Sequence, residues 1–393
     1  MNSNKVYIIG FGITKFGELY NQGPSSLAAQ ALTEAITNSL VDKNQIQTVY
    51  FGSLVSSSSS QPSIGTNCIR DCNLKIPTTR IEAGNASGAA AFYQAYLGIL
   101  SGIYNCTAVI GIEKLSDYVK SGVIERILGS TIDYQWEFEM GATLTSLYAL
   151  LTKAHMKEFG TTSEQLASVP VKNHKNGVNN PQAQFRREIP IENFLKAKRI
   201  SDPIGRFDPA TYCDGAAALI LASLDFIENN SDISTKVPVL GSGQASDSLA
   251  LHHRDSLTTI TSTVKAADVA FSNAKLSTKD INCAEVHDSY PIGEILAIED
   301  LGFFSKGEGG KATQDGLTEL NADISINPSG GLKSRGDPFG ATGVAQIVEI
   351  VEQMKGIAEK RQVSDNNYGL TQNVFGTGAM SYVNIFGKDE VKK

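Results

Sequence analysis

Short apolar runs closed by glycine alternate along this chain with alanine-rich stretches of helical period, and the whole alternation occurs twice. The first run, Val6-Tyr7-Ile8-Ile9-Gly10-Phe11-Gly12, is β-branched and apolar, which predicts a buried strand. A helical stretch from Ser26 to Leu40 and a strand-like stretch from Ile46 to Gly52 follow it. Val237-Pro238-Val239-Leu240-Gly241-Ser242-Gly243 repeats the shape of the first run, and it too leads to a helical stretch, Ser262 to Ala274, and a strand-like one, Ile281 to His287. Later in each copy a small-residue step enters a helix: Ala86-Ser87-Gly88 in the first, Ala341-Thr342-Gly343 before Val344 to Val351 in the second. A period this long predicts two homologous α/β halves and not a stacked solenoid.

Between the copies the plan is interrupted. Residues 115–199 carry Trp136, a helical run from Leu144 to Phe159, the polar stretch Lys172 to Pro181 and the basic cluster Arg186, Arg187, Lys196, Lys198 and Arg199. An excursion of this length usually serves function. Positive charge here would suit a phosphate-bearing ligand, although charge alone favours a solvated basic face. Asp214 to Leu221 then reads as a strand that closes the first half. The expected organisation is a first half made of 1–114 and 200–235, an inserted loop domain at 115–199, and a second half at 236–393.

Candidate chemistry gathers at an elbow. In Arg80-Ile81-Glu82-Ala83-Gly84-Asn85-Ala86-Ser87-Gly88 a short strand meets a glycine kink and passes into a helix, a turn that lifts one side chain above a sheet at a positive helix end. Such a seat suits a nucleophile, yet the residue in it is Asn85, whose amide cannot be deprotonated at working pH. In the second copy Glu285-Val286-His287-Asp288-Ser289-Tyr290 ends a strand with titratable groups, where α/β sheets commonly place active-site residues. The glycine-rich run Asn327 to Gly340 could cradle a phosphate, but it lacks the P-loop ending, so a nucleotide triphosphatase is not expected. A last loop, Asn373 to Ala379, precedes a final strand from Ser381 to Phe386, and Gly376 and Gly378 would let backbone N–H groups approach a ligand.

Composition narrows the field. A net charge of -7 argues against nucleic acid as a partner. The opening residues contain only a short apolar run, Val6 to Ile9, too brief for a signal segment, and nothing later approaches a membrane span, so a cytoplasmic protein is expected. Five scattered cysteines predict reduced thiols, and without paired Cys-x-x-Cys spacing no metal site is expected.

These landmarks resemble the thiolase superfamily, in particular its archaeal acetyl-CoA acetyltransferases and sterol carrier protein X-type thiolases. The likeness runs nearly end to end. It includes Val171 to Asn176 with Asn180 to Phe185, Cys213 to Ala218, Glu285 to Tyr290, Glu299 to Phe304, and Gly330 to Gly343. It implies a thiolase-like α/β fold, with two duplicated halves in a five-layer αβαβα arrangement and an inserted loop domain over coenzyme A. It also implies coenzyme A or acyl-CoA as ligand, with His174, Lys175, Arg186, Gly376 and Gly378 as binding positions, and no further cofactor. A role in lipid metabolism, a homodimer or tetramer, and a zinc-ribbon companion or a complex with a hydroxymethylglutaryl-CoA synthase follow from the same resemblance.

The resemblance places the family's acylated cysteine at Asn85. The family's Gly-His-Pro loop reads Gly336-Asp337-Pro338 here, and its His-Asp-Cys-Phe block reads His287-Asp288-Ser289-Tyr290. Asn85, His287, Asp337 and Ser289 are therefore the expected site, and of the four groups the family's chemistry needs only His287 is kept. Three functions follow as expectations: an acyl-CoA-binding pseudoenzyme, an acyl-CoA enzyme with aldol-type or decarboxylating chemistry, and a thiolase whose nucleophile has moved to Cys72 or Cys283. If Asn85 and Asp337 are neighbours, the amide is expected to donate to the carboxylate.

Overall fold

The computed structural model describes residues 5–54, 64–117 and 122–389. The first half runs β1 (Val6–Ile13), α1 (Pro24–Ser39), β2 (Val49–Gly52), α2 (Ile64–Asp71), β3 (Thr78–Ile81), α3 (Ser87–Leu100) and β4 (Cys106–Glu113). The interruption holds α4 (Val123–Gly129), α5 (Leu144–Phe159), α6 (Ser163–Gly177), α7 (Ile191–Leu195) and a small ribbon of β5 (Arg199–Ser201) and β6 (Ile204–Gly205). Next come β7 (Gly215–Ser223), α8 (Leu224–Glu228), β8 (Val237–Ser246), α9 (Thr261–Ala274), β9 (Cys283–Glu285), α10 (Pro291–Asp300) and α11 (Gly309–Gln314). The chain ends with β10 (Ser325–Ile326), α12 (Gly331–Arg335), α13 (Thr342–Lys355), β11 (Tyr368–Phe375) and β12 (Met380–Gly387).

Ten strands form one sheet in the order β10-β9-β11-β12-β8-β1-β7-β4-β2-β3. The order reads the same plan outward from the middle: β1, β7, β4, β2, β3 on one side and β8, β12, β11, β9, β10 on the other. The directions repeat as well, antiparallel next to the middle and parallel toward each edge. The halves meet where β1 and β8 pair antiparallel from Val6 and Val239 to Ile8 and Val237.

Helices complete five layers. α1 lies on β1 and β7 and α9 on β8 and β12, while α3 and α13 touch each other and strands of both halves. Burial follows this layering. Phe92, Leu219, Val344, Ile347, Val351 and Phe386 fill the central layer, Leu27 and Leu32 of α1 share a cluster with Phe51 and Ile110, and Ala266 of α9 shares one with Ile298, Ile326 and Val383.

The repeated Gly-x-Gly has a steric cause. A Cβ on Gly10 or Gly12 would lie 2.3 Å from the carbonyl oxygen of Ala35 or Ala31, and a Cβ on Gly241 or Gly243 would lie 2.1 Å from that of Ala270 or Ala266. In both halves an alanine-rich helix thus rests its backbone directly on a bare strand, which close packing of the interior rewards. The small-residue steps before α3 and α13 meet each other in the same way: a Cβ on Gly88 would lie 2.3 Å from the Gly340 oxygen, and one on Gly343 2.7 Å from Ala89 N.

Several elements differ from the sequence-based expectation. The Ile281 to His287 strand pairs only over Cys283–Glu285, because beyond it side-chain amides replace the neighbouring strand: Asn327 Oδ1 accepts the Val286 N–H at 2.8 Å and Gln372 Oε1 accepts the His287 N–H at 3.0 Å. Asn373 and Val374, expected in a loop, finish β11, and the turn begins after Phe375. The polar stretch from Lys172 begins as the end of α6, and its Lys172, Asn173, His174 and Asn176 side chains are buried while Lys175 is exposed. Lys172 Nζ meets Glu294 Oε1 at 2.8 Å, and Asn173 Nδ2 donates to Asp288 and Glu294 at 2.7 and 2.8 Å. Buried carboxylates on and before α10 supply what a polar helix face needs in an interior.

Candidate active site

The elbow between β3 and α3 is built locally. Gly84 turns the chain at φ +55°, and Ser87 Oγ closes the turn by donating to the Gly84 carbonyl at 2.5 Å and accepting the Ala83 N–H at 2.9 Å. A Cβ on Gly84 would lie 2.0 Å from the Phe375 ring, so glycine alone lets the elbow press against the end of β11. Asn85 stands at its tip just before α3, 4% exposed.

Both ends of the Asn85 amide are engaged. Oδ1 accepts the Gly376 N–H at 2.9 Å, and Nδ2 donates to His287 Nε2 at 3.1 Å. Asn373 Nδ2 lies 3.1 Å from His287 Nδ1 and donates to Gln346 Oε1 at 2.9 Å, and Gln346 Nε2 donates to the Gln372 carbonyl. The Gly376 N–H fixes the Asn85 amide with Nδ2 toward the imidazole, so Nε2 of His287 accepts and, in the neutral ring, Nδ1 carries the hydrogen. Asn373 Oδ1 is buried without a hydrogen-bond partner among the described residues. Burial, helped by the Arg335 charge, pushes His287 down to about 3, so the ring is neutral at physiological pH.

Asp337 joins the site from the other half. Its Oδ1 accepts from Thr342 Oγ1 at 2.6 Å, and burial raises it to about 6 against the lowering effects of that bond and of Arg335. The expected Asn85 to Asp337 hydrogen bond is not made. The two side chains line one cavity, but Asn85 is bound to His287 and Gly376 and Asp337 to Thr342. Ser289 lies in the same cavity with its hydroxyl 3.4 Å from that of Tyr148, and among the described residues no base is hydrogen-bonded to it. Tyr290 stacks on Tyr148 with ring centroids 4.2 Å apart and bonds Thr145 Oγ1 at 2.8 Å.

Leu128, Thr131, Leu144, Tyr212, Tyr290 and Phe339 complete the lining around Asn85, Ser289 and Asp337. They leave about 10 Å³, room for about one water. No thiol lines this cavity. Cys72 lies just past α2 with its sulfur 3.7 Å from the Ala29 carbonyl, and Cys283 is buried on β9 beside Asn366, so neither is a displaced nucleophile here.

The structure brings Asn85, His287, Ser289, Asp337 and Gly376 together and leaves the other expected ligand positions elsewhere. His174 is buried in a different cavity, Lys175 pairs with Glu319 at the surface, and Arg186 is exposed with Nε 3.4 Å from the Val178 carbonyl. The glycine loops are occupied as well. The Gly376 N–H serves Asn85 and the Gly378 N–H serves the Phe375 carbonyl, so neither is free for a ligand. The Asn327 to Gly340 run is buried throughout, with α12 inside it, and its Gly330, Gly331 and Gly336 N–H groups are bonded internally. Sequence reading missed Tyr212, Tyr148, Asn373 and Gln346. Tyr212 stands beside the Cys213-Asp214 block, the one local signal for it; the others become neighbours of the site only through the sheet.

Comparison with known proteins fits this geometry. Residues 6–202 match the family described as thiolase, N-terminal domain, and residues 243–388 match the thiolase C-terminal domain-like family. An acetyl-CoA acetyltransferase of Methanothermobacter thermautotrophicus is 41% identical over 385 residues, covering 98% of this chain and 99% of its own. Another from Methanocaldococcus jannaschii is 36% identical over 387 residues, 97% of this chain and 98% of its own. Among solved structures, the Ltp2-ChsH2(DUF35) aldolase superposes with a TM-score of 0.85 over 99% of both chains at 22% identity, a likeness of fold. Matched in both halves and aligned nearly end to end with these archaeal relatives, this chain belongs to the thiolase family.

Proposed function

We propose that this chain is an acyl-CoA-binding member of the thiolase family that holds a thioester without taking its acyl group. The observation that carries the reading is the state of Asn85: a carboxamide occupies the elbow, its two ends are committed to Gly376 and His287, and no thiol lines the cavity. Acyl transfer through the enzyme needs a thiolate and donors aimed at the developing oxyanion. His287 offers neither, since its Nε2 is an acceptor already used by Asn85. An ionised Asp337 about 4 Å from a developing oxyanion would cost on the order of a few kcal/mol at intermediate dielectric. Entry of an acyl group requires lining side chains to move, because the cavity holds about one water.

Titration calorimetry with acetyl-CoA, followed by intact-protein mass spectrometry of the same sample, tests this. Saturable heat with no acetyl adduct is the expected pair of results. An adduct on any cavity residue would overturn the reading, and absence of binding would leave the fold without its ligand.

A second reading is supported by Asp337 itself, a buried carboxyl raised to about 6 that faces Tyr212 and Tyr290. A base tuned close to neutral pH beside phenol donors suits removal of a hydroxyl proton from a β-hydroxyacyl-CoA and cleavage of the neighbouring carbon–carbon bond, with no acyl-enzyme. Release of an aldehyde or ketone from such a thioester, lost in Asp337→Asn, is its test. For assembly we propose a homodimer or tetramer with a zinc-ribbon companion or a hydroxymethylglutaryl-CoA synthase. The fold likeness to an aldolase whose name includes a DUF35 partner supports a companion protein.

A further inference from the structure

A second cavity, with about 400 Å³ of space, lies between residues 185–194 and the 207–211 segment. It shares no lining residue with the Asn85 cavity. Thr211 faces one and Tyr212 the other, so this segment is the wall between them. Phe185, Phe194 and Phe207 form apolar sides, and two buried basic groups, Lys333 at 6% exposure and His174 at 2%, stand among them.

The donors and acceptors of these two groups can be counted. Lys333 Nζ donates to the Phe207 and Pro209 carbonyls at 2.5 and 2.8 Å, which leaves one of three hydrogens without a partner among the described residues. Two acidic neighbours make no bond to Nζ: Asp208 accepts the Gly205 N–H, and Asp288 accepts the backbone N–H groups of Leu332 and Lys333 and Asn173 Nδ2. His174 Nδ1 sits 3.2 Å from the Arg187 carbonyl, which can only accept, so Nδ1 carries the hydrogen. Burial and the Lys333 charge push His174 down to about 4, so the ring is neutral. Arg187 and Glu188 also line the cavity, both exposed and opposite in charge, so among its buried groups one ammonium hydrogen beside a neutral imidazole matches a single negative charge and leaves a phosphate dianion undercompensated.

We propose that this cavity binds a small organic carboxylate with a flat apolar body, its charge on Lys333 and its ring between the phenylalanines, at a site separate from the acyl-CoA cavity. Pocket size and a mostly apolar lining with few polar groups are what such ligands need. Burial lowers Lys333 to about 8, so the ammonium, and binding with it, fades as pH rises past that value.

Ligand-observed fluorine NMR with 4-fluorophenylacetate tests the site on the full chain. Saturable binding is expected at pH 7, weakened at least about tenfold by Lys333→Met, the loss of one charge-assisted hydrogen bond. Phe207→Trp, a change at the half-exposed rim that narrows the mouth, is expected to weaken it too, and covers the case in which the lysine variant fails to fold. Saturating acetyl-CoA should leave the probe in place. Probe binding absent in the wild type, undiminished in the variants that fold, or displaced by acetyl-CoA would overturn the inference. Displacement by acetyl-CoA would do so while leaving the proposed thioester binding intact.

Discussion

Asn85 Nδ2 donates to His287 Nε2 at 3.1 Å across 202 residues of sequence, and with the Gly376 N–H bond to Oδ1 it joins the two halves at the point where the family's chemistry is expected. It fixes the imidazole as a neutral acceptor and keeps the elbow's side chain from facing a ligand as anything but an amide. Cutting the bond exposes its structural share. Asn85→Ala leaves His287 Nε2 and the Gly376 N–H buried without partners, and denaturant unfolding is expected to report a loss of about 1–3 kcal/mol per orphaned group.

Asn85→Cys supplies a thiol at the positive end of α3, yet leaves Asp337 in the cavity. Incubated with acetyl-CoA, the single variant is expected to gain little acetyl label by mass spectrometry, because a buried carboxylate raises a neighbouring thiol's pKa and opposes the oxyanion. Adding Asp337→His is expected to increase labelling by at least about a hundredfold, the size of one oxyanion donor. Equal labelling of the two variants would show that Asp337 is not the obstacle.

Asp337 also makes stability depend on pH. Its folded pKa, about 6, lies above the usual 3.8, so the native state holds this proton more tightly, and the contribution present below pH about 4 is lost as pH rises to about 6. Asp337→Asn keeps the acceptor for Thr342 and removes the titration. Its stability relative to wild type should grow by up to about 3 kcal/mol between pH 4 and pH 7 and then stay level. Urea midpoints measured across that range check it; a difference that is flat with pH would contradict the assigned burial.

Gly88→Ala probes the crossing of α3 and α13. The added methyl would lie 2.3 Å from the Gly340 backbone oxygen, and backbone cannot swing aside. A loss of about 1–3 kcal/mol or more in thermal or denaturant unfolding is expected, whereas Gly356→Ala, with open space around it, should lose less, and only through its positive φ of +72°.

The double plan was legible because its cause is local and steric. Glycine pairs in Gly10-Phe11-Gly12 and Gly241-Ser242-Gly243, with alanines spaced on the following helix, state in sequence that helix and strand touch. The elbow was legible for the same reason, since Gly84 and Ser87 make it within a few residues. The ligand positions that the resemblance implied are not marked by such a local cause: His174 sits in a separate cavity and Lys175 pairs with Glu319 at the surface. Beside them, α6 turns the polar Lys172 and Asn173 inward toward Glu294 and Asp288. Residue type records that a group is polar; it does not record the direction in which its helix presents it.

By itself the sequence determined two α/β copies, an interruption between them, and an amide where a nucleophile would stand, because periodicity, glycine sterics and residue identity all act over a few positions. Only the tertiary structure decided that Asn85 answers to His287 and Gly376 and not to Asp337, that the Gly376 N–H is already spoken for, and that Lys333 and His174 share a cavity of their own. Those partners lie up to 291 residues apart, and hydrogen bonds at such separation are set by how the two half-sheets and their central helices register against one another, which no local pattern encodes.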